Sequence, residues 1–304
     1  MSPRPERRWA ARVALAAAVA ATGSWLAAPE AAGGVVPGSN GRIAYASERG
    51  GSQDVYSMNA DGSGETRLTE DVQISFRPSW SPDGTRIAFA TLRSGNQDIY
   101  VMNADGTAES QLTTAPELES APTWSPDGKR IAFSRAAEGT SDVWIMDADG
   151  GNQTRVTDHT AHDGQPSWSP DGNSIAFVST RTGNTDVFVM RPDGSGLTQL
   201  TSDTDTDAAP AWSPDGTHIA FTSTRAGGSD VWVMKADGTE QTQLTTDPES
   251  DLSPCFSPDG TKIVFTSTRG GNADIYVMDA GGTNQTAITT NSATDKHPSW
   301  QPLP

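Results

Sequence analysis

The 304-residue sequence contains one cysteine and four histidines, and basic residues are few, 21 Lys and Arg against 38 Asp and Glu. Each scarcity removes a class of answers. Cys255 alone allows no intramolecular disulfide. A formal charge of −17 without a basic patch speaks against nucleic acid as a partner. The sequence has no G-x-S-x-G or H-E-x-x-H, so the common hydrolase and metalloprotease arrangements are missing. It also has no helical hydrophobic period. Beyond the first thirty residues, no apolar run is long enough to cross a bilayer.

The amino terminus differs from the rest. Arg4, Arg7, Arg8 and Arg12 precede an Ala/Val/Leu stretch from Val13 to Ala28, which Thr22, Gly23 and Ser24 interrupt. A positive n-region before a short apolar core reads as a secretory signal over residues 1–32, with cleavage near Ala28 to Ala32. Arg7-Arg8 is compatible with twin-arginine export. Without residues 1–32, four Arg and two Glu are lost and the formal charge becomes −19. The expectation is an exported protein, periplasmic, envelope-associated or extracellular, monomeric and without a membrane span once the signal is removed.

What is abundant is a repeat. Trp80, Trp124, Trp168, Trp212, Phe256 and Trp300 lie 44 residues apart without an insertion. The first five are followed by Ser-Pro-Asp-Gly, at 81–84, 125–128, 169–172, 213–216 and 257–260. In this turn Pro sets φ and Gly takes a positive φ. Each unit then runs through a β-branched and aromatic segment such as Arg86–Ala90, a polar loop, a second such segment at Asp98–Met102, an Asp-Gly turn and a short Leu-Thr strand. Four strands per 44 residues predict an all-β fold, a six-bladed β-propeller of four-stranded antiparallel blades over residues 33–304. The Trp-bearing strand is out of phase. The first unit lacks it and a surplus copy, Lys296–Trp300, ends the chain. Closure of the ring by this C-terminal strand removes two exposed sheet edges.

The pattern P-x-W-S-P-D-G-x-x-I-A-F, then R-x-G-x-x-D-I-Y-V-M, then D-G-x-x-x-x-L-T resembles the TolB-type, WD40-like (PD40) propeller repeat across nearly all of residues 33–304. The resemblance implies a six-bladed propeller with a partner-binding role in the bacterial envelope. Unlike the TolB translocation protein, this sequence is read as propeller only, without an α/β domain ahead of it.

Copies that depart from one another point to function. The S-P-D-G and D-G turns share one end of the propeller and repeat closely; the connections between blades, at the other end, vary. Five residues before each Trp-type position stand Ser75, Glu119, Asp163, Asp207, Asp251 and Asp295. The five acids are expected to ring the mouth of the central channel and to receive a protein or peptide partner, basic in character, or a divalent cation such as Ca²⁺. Asp in such loops also caps backbone N–H groups, which supplies a purely architectural role. His162 in His159-x-x-His162-Asp163, and His297 on the closing strand, complete the candidate site. Similar repeats in oligogalacturonate lyases, which use a metal and channel-face histidines, imply an alternative: a metal-dependent carbohydrate lyase or hydrolase using His162 and His297. No cofactor is otherwise expected. Asp54, Asp98, Asp142, Asp186, Asp230 and Asp274 begin each third strand, and Arg49, Arg93, Arg181, Arg225 and Arg269 lie five residues upstream of theirs. An Arg–Asp brace across that loop is expected. Cys255, where other repeats have Ser, Thr or Ala, is expected to be a small buried filler.

Overall fold

The computed structural model describes residues 37–137 and 139–303. The segment read as a signal, residues 1–32, lies outside them. The described residues form six four-stranded antiparallel sheets, and no described helix is long and apolar enough to cross a membrane. In blade 5, for example, the strands run Asp207–Trp212, His218–Ser223, Asp230–Lys235 and Thr242–Gln243. The first strands of successive blades adjoin one another around the ring, so they are innermost.

The ring closes as the surplus repeat predicts. Asp295–Leu303 pairs antiparallel with Ser39–Ser47, setting Trp300 opposite Ile43. This makes the last strand the innermost of blade 1 and the neighbour of the first strand of blade 2, Ser75–Trp80.

Each Trp-type residue is a wedge between blades. Trp80 packs with Ala44, Val55 and Leu68 of blade 1 and with Ile87, Phe89 and Met102 of blade 2. Trp300 does the same between blades 6 and 1, beside Ile275, Cys255, Ile43 and Tyr45. Burying such side chains contributes on the order of 2–3 kcal/mol each, so the core consists of six inter-blade layers. Cys255 is fully buried in one of them, and burial pushes its thiol up to about 12.

The S-P-D-G turns interlock. Asp127 accepts from the Ser125 hydroxyl at 2.6 Å and from the Lys129 N–H at 3.1 Å. Gly128 has φ +68°, and a Cβ there would meet Pro82 of the preceding turn at 3.3 Å. Gly84 is tighter, since its Cβ would lie 2.3 Å from the Pro302 carbonyl oxygen.

Candidate functional site

All six first strands carry a bulge two residues in from the end where the inter-blade connections arrive. Arg77, Ala121, Gln165, Ala209, Ser253 and His297 have φ between +51° and +57°, and the pairing register slips beside each. A non-glycine residue in this region costs of order 1 kcal/mol, so the geometry is imposed by its surroundings. The proline that follows each has no N–H to contribute where the ladder is broken. In three blades the bulge N–H is met by a hydroxyl of the preceding blade: Ser134 Oγ accepts from Gln165, Thr222 Oγ1 from Ser253 and Thr266 Oγ1 from His297. At Ala209 the corresponding residue is Val178, which has no hydroxyl, and the Gln165 side chain accepts the N–H instead at 2.9 Å.

The ring acids lie at the loop end of these strands, and their surroundings differ from an open mouth. Glu119, Asp163, Asp207, Asp251 and Asp295 are all fully shielded from solvent. Each binds an arginine of its own blade: Arg135 to Glu119 at 2.5 Å, Arg181 to Asp163 at 2.8 Å, Arg225 to Asp207 at 2.7 Å, Arg269 to Asp251 at 2.6 Å and Arg49 to Asp295 at 2.8 Å. The arginine lies over two aromatic rings, as Arg225 does over Phe221 and Trp232 at 5.5 and 4.8 Å from the ring centres. In four of these five blades its guanidinium also reaches a Glu or Gln just before the fourth strand: Glu65, Gln153, Gln241 or Gln285. Leu197 stands at that position in blade 4. In blade 2 Ser75 takes the acid's place and bonds Thr91, while Arg93 pairs with Asp71 and Glu109.

The brace expected between Arg49 and Asp54, and in the sister loops, is therefore redirected. Ser47 lies opposite both Asp54 and Asp295 in the sheet, and its hydroxyl holds the Arg49 Nε at 2.9 Å. The guanidinium then stacks on Tyr45 and Tyr56 and meets Asp295, while Asp54 is taken by Arg67 and the Thr69 hydroxyl. The threonine of each Leu-Thr strand is the general partner. Its hydroxyl accepts the N–H after the third-strand Asp, and in five blades it donates to that Asp. Blade 3 has Ala137 where the others have Arg, and Arg135 supplies the guanidinium from two residues earlier. Glu119, one methylene longer than Asp, meets it.

Burial pushes the carboxyls of Glu119 and Asp207 up, against the pull of hydrogen bonds and of Arg135 and Arg225. Burial does the same to the third-strand Asp98, Asp186, Asp230 and Asp274. Asp230 also feels Asp251 of the next blade, and Asp274 feels Asp295.

The two histidines are not brought together. His162 precedes the first strand of blade 4 and His297 lies in that of blade 1, on opposite sides of a six-bladed ring. His159 is exposed and accepts the Ala161 N–H. Among the described residues no three His, Cys, Asp or Glu side chains converge as a metal would require.

With this architecture in view, comparison with known proteins is direct. The TolB beta propeller domain family, PD40, matches residues 30–119, 107–207 and 200–303. The chain belongs to this family. Among solved structures, TolB from Acinetobacter baumannii is 24% identical, with 88% of this chain and 68% of that one covered at a TM-score of 0.77. A protein assigned as TolB from Agrobacterium tumefaciens is also 24% identical, with 82% and 88% covered and a TM-score of 0.69. Oligogalacturonate lyase from Vibrio parahaemolyticus shares the fold at 15% identity, with 87% and 79% covered and a TM-score of 0.60. At these identities the structures establish a common fold. No curated protein matches the chain by sequence.

Proposed function

We propose that this PD40 propeller is an exported binding scaffold that docks a protein or peptide partner on its loop end. One observation carries the reading: the side chains repeated in every blade are consumed by the architecture, and the surface left to vary lies at one end. The wedges, the S-P-D-G turns, the arginine–acid pairs and the Leu-Thr threonines all have partners inside the ring. The inter-blade connections 70–74, 114–118, 158–162, 202–206, 246–250 and 290–294 differ in sequence and are largely accessible. On this reading Glu119, Asp163, Asp207, Asp251 and Asp295 are the rigid support beneath the docking surface, and the connections make the contacts. A binding role is preferred to lyase or hydrolase chemistry because His162 and His297 stand on opposite blades. Export rests on the Arg-rich, then apolar, order of residues 4–28.

The test is affinity capture from the native envelope with two sets of variants. Substitutions of accessible loop-end residues, such as Val72→Ser with Glu249→Gln, should abolish recovery of a specific partner. Substitutions at turn-end residues, such as Asp61→Asn with Asp193→Asn, should leave it intact. The opposite pattern would overturn the assignment.

A further inference from the structure

At the loop end the blades meet through their acids. The backbone N–H of the ring position donates to the carbonyl just before the third-strand Asp of the preceding blade. Glu119 bonds Gln97 in this way, Asp207 bonds Thr185, Asp251 bonds Ser229 and Asp295 bonds Ala273, at 2.7–2.9 Å. Each first-strand acid is thereby set beside the third-strand Asp of the blade before. Asp251 adds to the effect of burial in raising the Asp230 carboxyl, as Asp295 does for Asp274 and Asp98 for Glu119.

The guanidiniums do not match these carboxyls one for one. Every first-strand acid has an arginine, but the third-strand Asp has one only where the fourth strand supplies it. Arg67 reaches Asp54 at 2.7 Å and Arg155 reaches Asp142 at 2.8 Å. Gln111, Gln199, Gln243 and Ala287 occupy the same position in blades 2, 4, 5 and 6. The boundary between blades 3 and 4 therefore has Asp142 and Asp163 against Arg155 and Arg181. Where blade 2 meets 3, 4 meets 5, 5 meets 6 and 6 meets 1, two buried carboxyls share one guanidinium. At three of these the arginine is shared again, Arg225 with Asp203, Arg269 with Asp247 and Arg49 with Glu65. A second buried negative charge without a counter-charge costs far more than a neutral carboxyl. The hydrogen bonds leave a place for the proton. Glu119 Oε2 and the Oδ1 atoms of Asp207, Asp251 and Asp295 are out of solvent and receive no donor from the described residues. Asp163 Oδ1 is in the same state beside two guanidiniums, so the open oxygen belongs to the fold and only the missing charge distinguishes the four boundaries.

We propose that each of these four boundaries holds a proton between its two carboxyls, which the unfolded chain would release, and that the loop end is thereby a pH-responsive device. The proton comes from solvent and sits on the third-strand carboxyl. Its O–H donates to the open oxygen of the first-strand acid, whose other oxygen stays on its arginine. Between blades 5 and 6, Asp230 donates to Asp251 Oδ1 while Asp251 Oδ2 keeps Arg269 at 2.6 Å. The other ionisable groups there are Asp247, 3.9 Å from Arg269, and Tyr276, whose ring centre lies 4.9 Å from the guanidinium and whose phenol burial keeps neutral. As pH rises and the proton leaves, two negative charges face one guanidinium, and the boundary weakens beneath its inter-blade connection. The connections 114–118, 202–206, 246–250 and 290–294 feel this, and 70–74 and 158–162 do not.

The experiment combines infrared spectroscopy with denaturant unfolding of the full chain over a series of pH values above about 5, where exposed carboxyls are ionised. The folded protein should keep a protonated-carboxyl C=O band there, which disappears on unfolding. Each proton released on unfolding makes the unfolding equilibrium constant rise about tenfold per pH unit, up to the folded value of its pair. Gln243→Arg gives Asp230 the guanidinium that Arg155 gives Asp142. It should remove one carboxyl from the band and take about tenfold per pH unit off that dependence. Asp230→Asn, whose neutral amide donates as the acid does, should cause the same two losses. Gln243 is half-buried on a short outer strand, so the first variant keeps the fold; the second provides an independent reading. A wild-type protein with no protonated-carboxyl band above about pH 5 would overturn the proposal, as would a band and pH dependence unmoved by both variants.

Discussion

The two ends of the propeller use carboxylates in opposite ways. At the turn end, Asp127 and Asp171 sit near solvent and are held below the usual carboxylate range by the Ser125 and Ser169 hydroxyls, with the N–H of Lys129 and Asn173 adding to the pull. At the loop end, Glu119, Asp207 and the third-strand Asp98, Asp186, Asp230 and Asp274 are out of solvent, and burial raises them despite their partners. The turn end is a ring of local hydrogen-bonded caps, each made within five residues. The loop end is a ring of longer-range buried ion pairs and carboxylates facing across blade boundaries. The caps also interlock from blade to blade with little room to spare at Gly84 and Gly128, which fits the uniformity of this end. The end built from buried charge is rigid underneath, and its connections are left to vary.

The strongest challenge to this picture is removal of the element that joins both ends of the ring. Deleting residues 295–304 takes away Trp300, the Asp295 partner of Arg49 and the Gln301 side chain that donates to the Gly84 carbonyl. The expected loss exceeds about 5 kcal/mol, since a buried Trp alone is worth about 3–5 kcal/mol. A thermal melt unchanged by the deletion would contradict closure.

Next in size is the break of a single loop-end pair. Arg225→Ala leaves Asp207 buried without its guanidinium, and the expected cost is about 3–5 kcal/mol by chemical denaturation. Asp207→Asn in the same background should recover part of it, because a neutral amide is less costly to bury than a charge. The corresponding turn-end change, Asp171→Ala, removes a hydroxyl and a backbone contact near the surface and should cost only about 1 kcal/mol. Equal costs at the two ends would remove the distinction.

The smallest effect is the pH profile. The raised loop-end carboxyls bind more protons folded than unfolded, so their contribution is fully present below the unfolded value near 4 and is lost as pH rises through their folded values. The lowered turn-end carboxyls contribute above the unfolded value and lose it as pH falls through their folded values. Stability should therefore rise modestly as pH is lowered through the folded values of the raised loop-end carboxyls, then fall as pH drops through those of the lowered turn-end carboxyls. A melting temperature that only falls as pH is lowered would mean that Glu119, Asp207 and the four third-strand acids are not raised.

Much of the fold was legible because its signals are local and repeat. Trp-Ser-Pro-Asp-Gly specifies a strand and its turn within five residues, and six Trp-type positions at one spacing count the blades. The surplus Lys296–Trp300 copy even marked where the ring closes. The partner of Arg49 was not legible. Asp54 is five residues away in sequence, yet the register of the sheet puts Asp295 equally within reach, and stacking on Tyr45 and Tyr56 turns the guanidinium toward it. Gln165 is similar: only the absence of a hydroxyl at Val178 on the same blade gives it a task on the next. A close comparison of the copies, Val178 against Thr222 and Thr266, contained a hint of this exchange.

By itself, the sequence determined an all-β propeller, its blade number, its turns and its closing strand, because a short-range pattern repeated six times leaves one architecture that buries every wedge. Tertiary structure decided what becomes of the five acids before the wedges. Burial and pairing are properties of neighbours in space, so acids prominent in the sequence vanish into the ring, each matched by an arginine of its own blade.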